Sequence, residues 1–176
     1  MEREYVILVD ENDRQTGTCE KLEAHEKGLL HRAFSIFLFN RKGEMLLQQR
    51  AAEKYHTPGL WSNTCCSHPR PNEEMEEAID RKLFQEMGIY SKVEKVFDFV
   101  YRADLENGLI ENEVDHVYFG EYNEAPDPNP AEIQTWKYSS FEEIKKDMEK
   151  DETSFTPWFK IVLKRVEEEY KKKQSV

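Results

Sequence analysis

The segment from Asn72 to Gly88 constrains the fold most, because its pattern is that of one helix with a single buried face. Its apolar residues recur at every fourth position, on one side of a helix: Met75, Ile79, Leu83 and Met87. Asn72 suits the N-cap position, and Gly88 suits the residue that follows the last turn. A helix of this kind has to bury its apolar stripe against another element of the same domain.

Segments with strand patterns lie on both sides of this helix. They are rich in β-branched and aromatic residues and cover residues 5–9, 14–20, 34–39, 45–49, 93–101, 114–122 and 136–138. The turn signal between the third and fourth segments predicts a β-hairpin. Ser140 with Glu143 resembles a capping box, and Pro157 suits the first turn of a last helix. Strands with separated helices predict one α/β or α+β domain over residues 1–176.

The bulk composition excludes several classes of protein. No apolar run approaches the roughly 20 residues that a membrane-spanning helix needs, and the N-terminus lacks the basic start and apolar stretch of a signal peptide. The three cysteines, two of them adjacent, do not form a disulfide framework. We therefore expect a cytosolic protein.

The net charge of −11 argues against a nucleic-acid partner, since such surfaces normally carry a basic stripe. It does not argue against an anionic substrate, because a local cluster of Lys and Arg with a bound cation can hold phosphate. The expected partner is a small molecule, with neither nucleic acid nor membrane. The expected assembly is a monomer or a weak homodimer.

Two short segments carry side chains suited to chemistry, one at residues 63–69 and one at residues 101–113. They supply a thiol, an imidazole, a phenol and paired carboxylates: Cys66, His68, Tyr101, Glu111 and Glu113. Taken alone, a partly buried cysteine is usually inert, and carboxylates at alternating strand positions usually face solvent. Cys65, as the strand neighbour of Cys66, is expected to point to the opposite face.

The predicted helix compares well with the Nudix box, Gly-x5-Glu-x7-Arg-Glu-U-x-Glu-Glu-x-Gly-U, where U is a bulky apolar residue. The box would cover residues 67–89, and its matching positions are Glu73, Arg81, Leu83, Glu86, Gly88 and Ile89. Ser67 replaces the opening glycine, while Lys82 and Gln85 replace two glutamates. Each lost glutamate removes an anionic oxygen ligand of the kind that Mg²⁺ prefers. The segment resembles a Nudix scaffold whose hydrolytic metal cluster is incomplete.

One family built on that scaffold shares these departures, the type I isopentenyl-diphosphate isomerases. The sequence resembles this family over nearly its whole length, most clearly at residues 63–69, 101–103 and 111–114. The resemblance implies a Nudix-type α/β/α sandwich with a mixed β-sheet. It also implies an enzyme of isoprenoid biosynthesis that interconverts isopentenyl and dimethylallyl diphosphate, adding a proton at one carbon and removing another two carbons away.

Such a reaction needs an acid and a base on opposite faces of the substrate, an electron-rich wall and the exclusion of water. By resemblance, Glu113 hydrogen-bonded to Tyr101 protonates the alkene, and Cys66, as a thiolate, takes the second proton. Trp158 resembles the aromatic residue whose π-face stabilises the cationic intermediate. The order in which the two groups act stays open, since coupled groups can exchange roles.

The resemblance further implies two metal sites and a diphosphate site. Three imidazoles and two carboxylates resemble the first metal site: His25, His31, His68, Glu111 and Glu113. This ligand set suits Mn²⁺ or Mg²⁺, and Zn²⁺ also fits. Glu86 resembles the ligand of a Mg²⁺ bound to the diphosphate. Four basic residues match positions around that diphosphate: Lys21, Arg50, Lys54 and Lys82. His56 and His116 match no ligand position and are expected to be structural or to face solvent.

Two alternative functions differ from this one at identifiable residues. A Nudix diphosphohydrolase acting on a nucleotide or prenyl diphosphate would need the intact box glutamates and would have no need of Cys66. A non-catalytic diphosphate-binding module would keep the basic cluster, and Cys66 would be dispensable. Lys82 and Gln85 argue against the hydrolase.

Overall fold

The β-branched and aromatic segments of the sequence form the strands of one mixed sheet. A computed structural model describes residues 2–54 and 56–175. Met1 and Val176, at the ends of the predicted domain, and Tyr55 lie outside the described residues. The strands are β1 (Tyr5–Val9), β2 (Gln15–Glu20), β3 (His31–Phe39), β4 (Met45–Arg50), β5 (Trp61–Ser62), β6 (Cys65–Ser67), β7 (Val93–Asp104), β8 (Ile110–Glu121) and β9 (Ile133–Ser139).

Strand β3 carries the pairings that matter most for function. It runs parallel to β8, with His31 paired to Glu113 and Phe39 to Glu121. β7 lies antiparallel on the far side of β8, where Tyr101 pairs with Glu113. Three strands share the other edge of β3 in succession: β1, β6 and β4. Residues from distant parts of the sequence therefore meet on one face of the sheet.

The predicted hairpin of β3 and β4 exists only at its turn. The two strands pair at Phe39 and Met45, after which β4 continues beside β5 and β9. Thr64 lies between them, because its hydroxyl accepts from the Leu38 amide at 3.0 Å and donates to the Leu46 carbonyl at 2.7 Å. The hairpin prediction is thus confirmed at the turn. The separation of the strands beyond it was not predicted, because a local turn signal carries no information about a later segment that inserts between its strands.

Four helices cover the two faces of the sheet, which confirms the α/β/α sandwich. They are α1 (Lys21–Lys27), α2 (Met75–Met87), α3 (Phe141–Lys150) and α4 (Pro157–Gln174). Phe34, Ile36 and Leu38 pack in a core with the apolar stripe of α2. Phe37 and Phe39 pack in a second core with residues of α3 and α4. This division follows from the alternation of side chains along β3.

Helix α2 keeps its predicted stripe and its predicted end, but not its predicted start. Ile79, Leu83 and Met87 are fully buried, and Met75 packs beside them. The helix follows Glu74 as N-cap. Asn72 has a φ of +67°, which is not the extended backbone that an N-cap requires, so its assignment as the cap was wrong.

The other predicted helix starts are confirmed. The Ser140 hydroxyl accepts from the Glu143 amide at 3.1 Å, and α4 begins at Pro157.

No helix within the described residues has the length and apolar character that crossing a membrane would require.

Replacing Gly88 should destabilise the protein for two reasons, its positive φ and a clash with Asp127. Its φ is +66°, and an added Cβ would lie 2.5 Å from the Asp127 carbonyl oxygen. We expect Gly88→Ala to lower the free energy of unfolding by about 2–4 kcal/mol in urea titrations. Gly108→Ala is the matched control, because Gly108 has a φ of +73° but no atom within 4 Å of the added Cβ. Equal losses in the two variants would contradict the predicted clash.

Candidate active site

The sequence-predicted catalytic and diphosphate-binding residues meet at one cavity. Its empty space, counted with the open mouth, is about 540 Å³. Lining it are Lys21, Phe34, Ser35, Arg50, Lys54, His56, Cys66, Ser67, His68, Lys82, Glu86, Tyr101, Glu111, Glu113 and Trp158. His25 and His31 do not line the cavity and are fully buried.

Three imidazoles and one carboxylate form a tight group beside the cavity. His25 comes from α1, His31 begins β3, His68 follows β6 and Glu113 lies on β8. One ligand atom from each of these four residues lies within 4.8 Å of the others. The expectation that the first two histidines belong with His68 and Glu113 therefore agrees with their positions. Glu111, expected as a fifth ligand, is not part of this group.

The protonation of the imidazoles fits a cation. Burial, with the neighbouring histidines, lowers the pKa of His25 to about 3. Burial likewise lowers the pKa of His68 to about 4, against the opposing effect of Glu113. Both rings are therefore neutral at physiological pH and have a lone pair available for a metal.

His31 gives the clearest sign that a cation belongs here. Its Nδ1 lies 2.8 Å from the Leu29 carbonyl oxygen, so Nδ1 carries the proton and donates. The Nε2 lone pair then faces Glu113 Oε1 at 3.4 Å. Nε2 is buried without a hydrogen-bond partner among the described residues. Either a proton on Nε2 or a metal cation between the two atoms would remove this repulsion, and three imidazoles with a carboxylate are a ligand set that suits a divalent metal.

The carboxylates of Glu111 and Glu113 share the hydroxyl of Tyr101. It lies 2.6 Å from Glu111 Oε2 and 2.8 Å from Glu113 Oε2. Burial and the charge of Glu113 raise the pKa of Glu111 well above its ordinary value. Burial would also raise the pKa of Glu113, but the contacts of His31 and His68 hold it well below. The pair therefore retains one proton, next to the cavity.

The two adjacent cysteines face opposite sides of the sheet, as predicted. Cys65 is fully buried in the core beneath α2. Cys66 lines the cavity, with its Sγ 3.0 Å from Asn63 Oδ1 and 3.3 Å from Ser35 Oγ. Burial and the nearby Asp115 raise the pKa of Cys66 well above its ordinary value. The resting group is therefore a thiol.

The three lysines of the cavity each lie beside a carboxylate. Lys21 Nζ lies 3.1 Å from Glu4, and Lys82 Nζ lies 3.2 Å from Glu86. Lys54 pairs with Glu132. Burial would raise the pKa of Glu86, but Lys82 and Lys54 lower it, so Glu86 is an ionised carboxylate at the cavity wall. The box pair Glu73 and Arg81 is bidentate, at 2.7 and 2.9 Å. It does not line the cavity, but Arg81 also donates to the carbonyl of His68, which does, at 3.4 Å.

Trp158 lines the cavity with its aromatic ring. The guanidinium of Arg50 lies 5.5 Å from the centre of its ring. His56 meets the same ring edge-on at 6.1 Å and is only 7% exposed. The sequence offered no signal for placing His56 in the cavity wall. His116 lies against Asp13 at 2.9 Å and does not line the cavity.

Comparisons with known proteins agree on one family. The NUDIX domain matches residues 29–159. The chain is 50% identical over 161 residues to an isopentenyl-diphosphate Delta-isomerase of Pectobacterium atrosepticum, covering 92% of this chain and 90% of that one. It is 47% identical to the protein of the same name from Burkholderia multivorans, covering 92% of both.

Solved structures show the same fold at low sequence identity. A protein of Deinococcus radiodurans has a TM-score of 0.75 at 18% identity, covering 92% of this chain and 98% of that one. A MutT protein of Methanosarcina mazei has a TM-score of 0.65 at 18% identity, covering 81% and 96%. These two matches concern the fold alone.

The buried imidazoles should make the metal-free protein less stable as the pH falls. An unfolded histidine titrates near pH 6.5, whereas the pKa of folded His25 is about 3. Below pH 6.5 the unfolded state therefore binds a proton that the folded state does not, and stability is lost. We expect the loss between about pH 6.5 and 5, in EDTA, to be larger by about 1–2 kcal/mol than in a His25→Asn variant.

Urea denaturation at each pH measures this difference, and the other titrating groups are common to both proteins. The same pH dependence in the two proteins would contradict a buried neutral His25.

Proposed function

This chain belongs to the NUDIX family and, within it, to the isopentenyl-diphosphate Delta-isomerases, and we propose that it interconverts isopentenyl diphosphate and dimethylallyl diphosphate. The observation that carries the assignment is identity of about half across nine-tenths of the chain and of its relatives. The reaction belongs to isoprenoid biosynthesis. The chain is thus an isomerase that moves a carbon–carbon double bond.

Moving that bond requires one proton to be added to carbon and another to be removed. We assign these transfers to Glu113 with Tyr101, on β8 and β7, and to Cys66 on β6. All three line the same cavity. The two strands that carry the carboxyl and the thiol flank β3 on opposite edges, which supports transfers at two different carbons.

The protonation states of Cys66 and Glu113 support a reversible isomerisation. From isopentenyl diphosphate, the Glu113–Tyr101 pair gives a proton to the alkene, and Cys66, as a thiolate, takes one from the second carbon. From dimethylallyl diphosphate, the roles are exchanged: the resting Cys66 thiol gives the proton and ionised Glu113 receives one. Each direction ends in the state from which the other begins, so proton balance is kept. Trp158 supplies a π-face for the positive charge that develops between the two transfers.

We propose that His25, His31, His68 and Glu113 hold a divalent cation, with Glu111 completing the ligand set. The NUDIX family and the geometry of the four-residue group support divalent metal binding. Nitrogen and oxygen ligands favour Mn²⁺ or Mg²⁺, and Zn²⁺ also fits. When bound, the cation supplies positive charge that polarises the carboxyl of Glu113. Two hydrogen bonds orient the ligands: His31 donates to the Leu29 carbonyl, and Glu113 accepts from the Tyr101 hydroxyl.

The diphosphate end of the substrate is assigned to the basic wall of the cavity. Glu86 is the proposed ligand of a Mg²⁺ shared with the diphosphate, surrounded by Lys21, Arg50, Lys54 and Lys82. Lys82 occupies the position of a box glutamate. The ammonium group of Lys82 therefore replaces a carboxylate that would bind a metal ion. This change favours binding of the diphosphate over its cleavage. Gln85 removes a second anionic ligand, so the hydrolase alternative lacks the metal cluster it needs.

Two other properties stay predictions from the sequence. They are the cytosolic location and the monomeric or weakly dimeric assembly.

One experiment separates the isomerase from the hydrolase and from a binding module. The protein is incubated with isopentenyl diphosphate and Mg²⁺ in D₂O, and the products are followed by NMR. The isomerase yields deuterated dimethylallyl diphosphate. Release of free phosphate would instead indicate hydrolysis, and unchanged substrate would indicate binding alone.

Loss of either proton carrier should abolish turnover without unfolding the protein. We expect Cys66→Ala and Glu113→Gln each to lower kcat by about 10³-fold or more, because general acid–base groups contribute up to about 10⁴-fold. Cys19→Ala is the matched control, since Cys19 is partly exposed and does not line the cavity. Near-normal turnover in Cys66→Ala would overturn the assigned mechanism.

Removing the charge of Lys82 should weaken substrate binding more than chemistry. A hydrogen bond to a charged group contributes about 1.5–3 kcal/mol, so we expect Lys82→Gln to raise KM by about 10- to 100-fold. Lys95→Gln is the control, because Lys95 pairs with exposed Asp98 at 2.7 Å and does not line the cavity. An unchanged KM in Lys82→Gln would exclude the proposed diphosphate contact.

A further inference from the structure

Ser35 lies directly opposite Cys66 in the ladder of β3 and β6. Its hydroxyl oxygen is 3.3 Å from the sulfur, and the residue is 3% exposed. It lines the same cavity as Cys66. Ser35 was not among the residues that the sequence indicated, because its neighbours are apolar strand residues.

A carboxyl group fixes the position of this hydroxyl. Ser35 Oγ lies 2.7 Å from Asp115 Oδ2, and Asp115 is 2% exposed. Asp115 follows Glu113 by two residues on β8, so it points to the same face of the sheet. The hydroxyl is therefore held between two strands that flank β3, with the sulfur on one side and the carboxyl on the other.

Asn63 is the second polar neighbour of the sulfur, and its orientation is fixed. Its Nδ2 donates to the Ile36 carbonyl at 3.0 Å and to the Cys65 carbonyl at 3.2 Å. Its Oδ1 therefore faces the sulfur, and it already accepts from Ser62 at 2.9 Å. This oxygen can accept a hydrogen bond from a thiol, but it has no proton to offer a thiolate.

Ser35 differs from Asn63 because a hydroxyl can rotate to accept or to donate. Proton transfer at Cys66 changes the sulfur from a donor to an acceptor. A partner that can only accept loses its hydrogen bond at that moment. Ser35 donates its proton to Asp115 while the sulfur is a thiol, and it can turn that proton towards the sulfur once the sulfur is a thiolate. Holding a reacting atom to within a fraction of an ångström is worth large factors in rate.

We propose that Ser35 is a positioning residue that keeps a hydrogen bond to the Cys66 sulfur in both the protonated and deprotonated states of the reaction, and that Asp115 holds its hydroxyl while the sulfur is a thiol. This inference rests on the proposed function. The effect of Ser35 is exerted on the sulfur alone.

The test compares Ser35→Ala with Ser35→Thr, which keeps the hydroxyl. We expect Ser35→Ala to lower kcat by about 10- to 100-fold with KM for isopentenyl diphosphate within about twofold of the unsubstituted protein, and Ser35→Thr to recover most of the loss. Ser139→Ala is the matched control, because Ser139 is equally buried on a strand but does not line the cavity. We expect its kcat to be unchanged.

A second readout follows the position of the sulfur directly. Isopentenyl diphosphate is labelled with deuterium at each of the two C2 hydrogens in turn, and the label kept in the product is measured by mass spectrometry. A fixed sulfur discriminates between the two hydrogens. Ser35→Ala should reduce the preference for one C2 hydrogen over the other. A variant that is merely less stable would lose turnover but would keep this preference.

Several outcomes would overturn the inference. They are a Ser35→Ala kcat within twofold of the unsubstituted protein, a loss that Ser35→Thr does not recover, or a loss with full discrimination between the labelled hydrogens. Absence of isomerisation in the unsubstituted protein would overturn the proposed function itself, which distinguishes the two failures.

Discussion

The parallel pairing of β3 with β8 is the constraint on which the site depends. It places His31 opposite Glu113 and brings the alternating acidic residues of β8 to the face that also carries Ser35. The other edge of β3 receives β6 and with it Cys66. One strand thus aligns the carboxyl side and the thiol side of the cavity. A register shift of β8 by one residue would turn its acidic side chains to the opposite face of the sheet.

Burying so many ionisable groups is unfavourable unless each has a partner. Two hydroxyl groups each contact two of these ionisable groups. The Tyr101 hydroxyl contacts the carboxyls of Glu111 and Glu113, and the Ser35 hydroxyl contacts the Asp115 carboxyl and the Cys66 thiol. Several buried atoms have no such partner among the described residues, and one of them is Nε2 of His31, which faces Glu113. A divalent cation bound there would remove this unfavourable contact, and Glu113 is also the carboxyl to which we assign proton transfer.

The sequence predicted the parts of the fold that depend on local periodicity. The stripe of α2, the end of that helix at Gly88 and the opposite directions of Cys65 and Cys66 all follow from spacing alone. It missed the separation of β3 from β4, because the Thr64 hydrogen bonds that separate them join distant residues. Ser35, Asp115 and His56 were missed for the same reason. Their roles depend on tertiary neighbours, and none belongs to a recognisable motif.

We propose that the imidazoles of His25, His31 and His68 and the carboxylate of Glu113 bind one divalent cation. X-ray absorption at the manganese edge of Mn²⁺-loaded protein tests this binding most directly. We expect scattering from three imidazole rings with oxygen in the remaining positions, and loss of one imidazole contribution in His25→Asn. A spectrum with oxygen ligands alone, unchanged by that substitution, would contradict it.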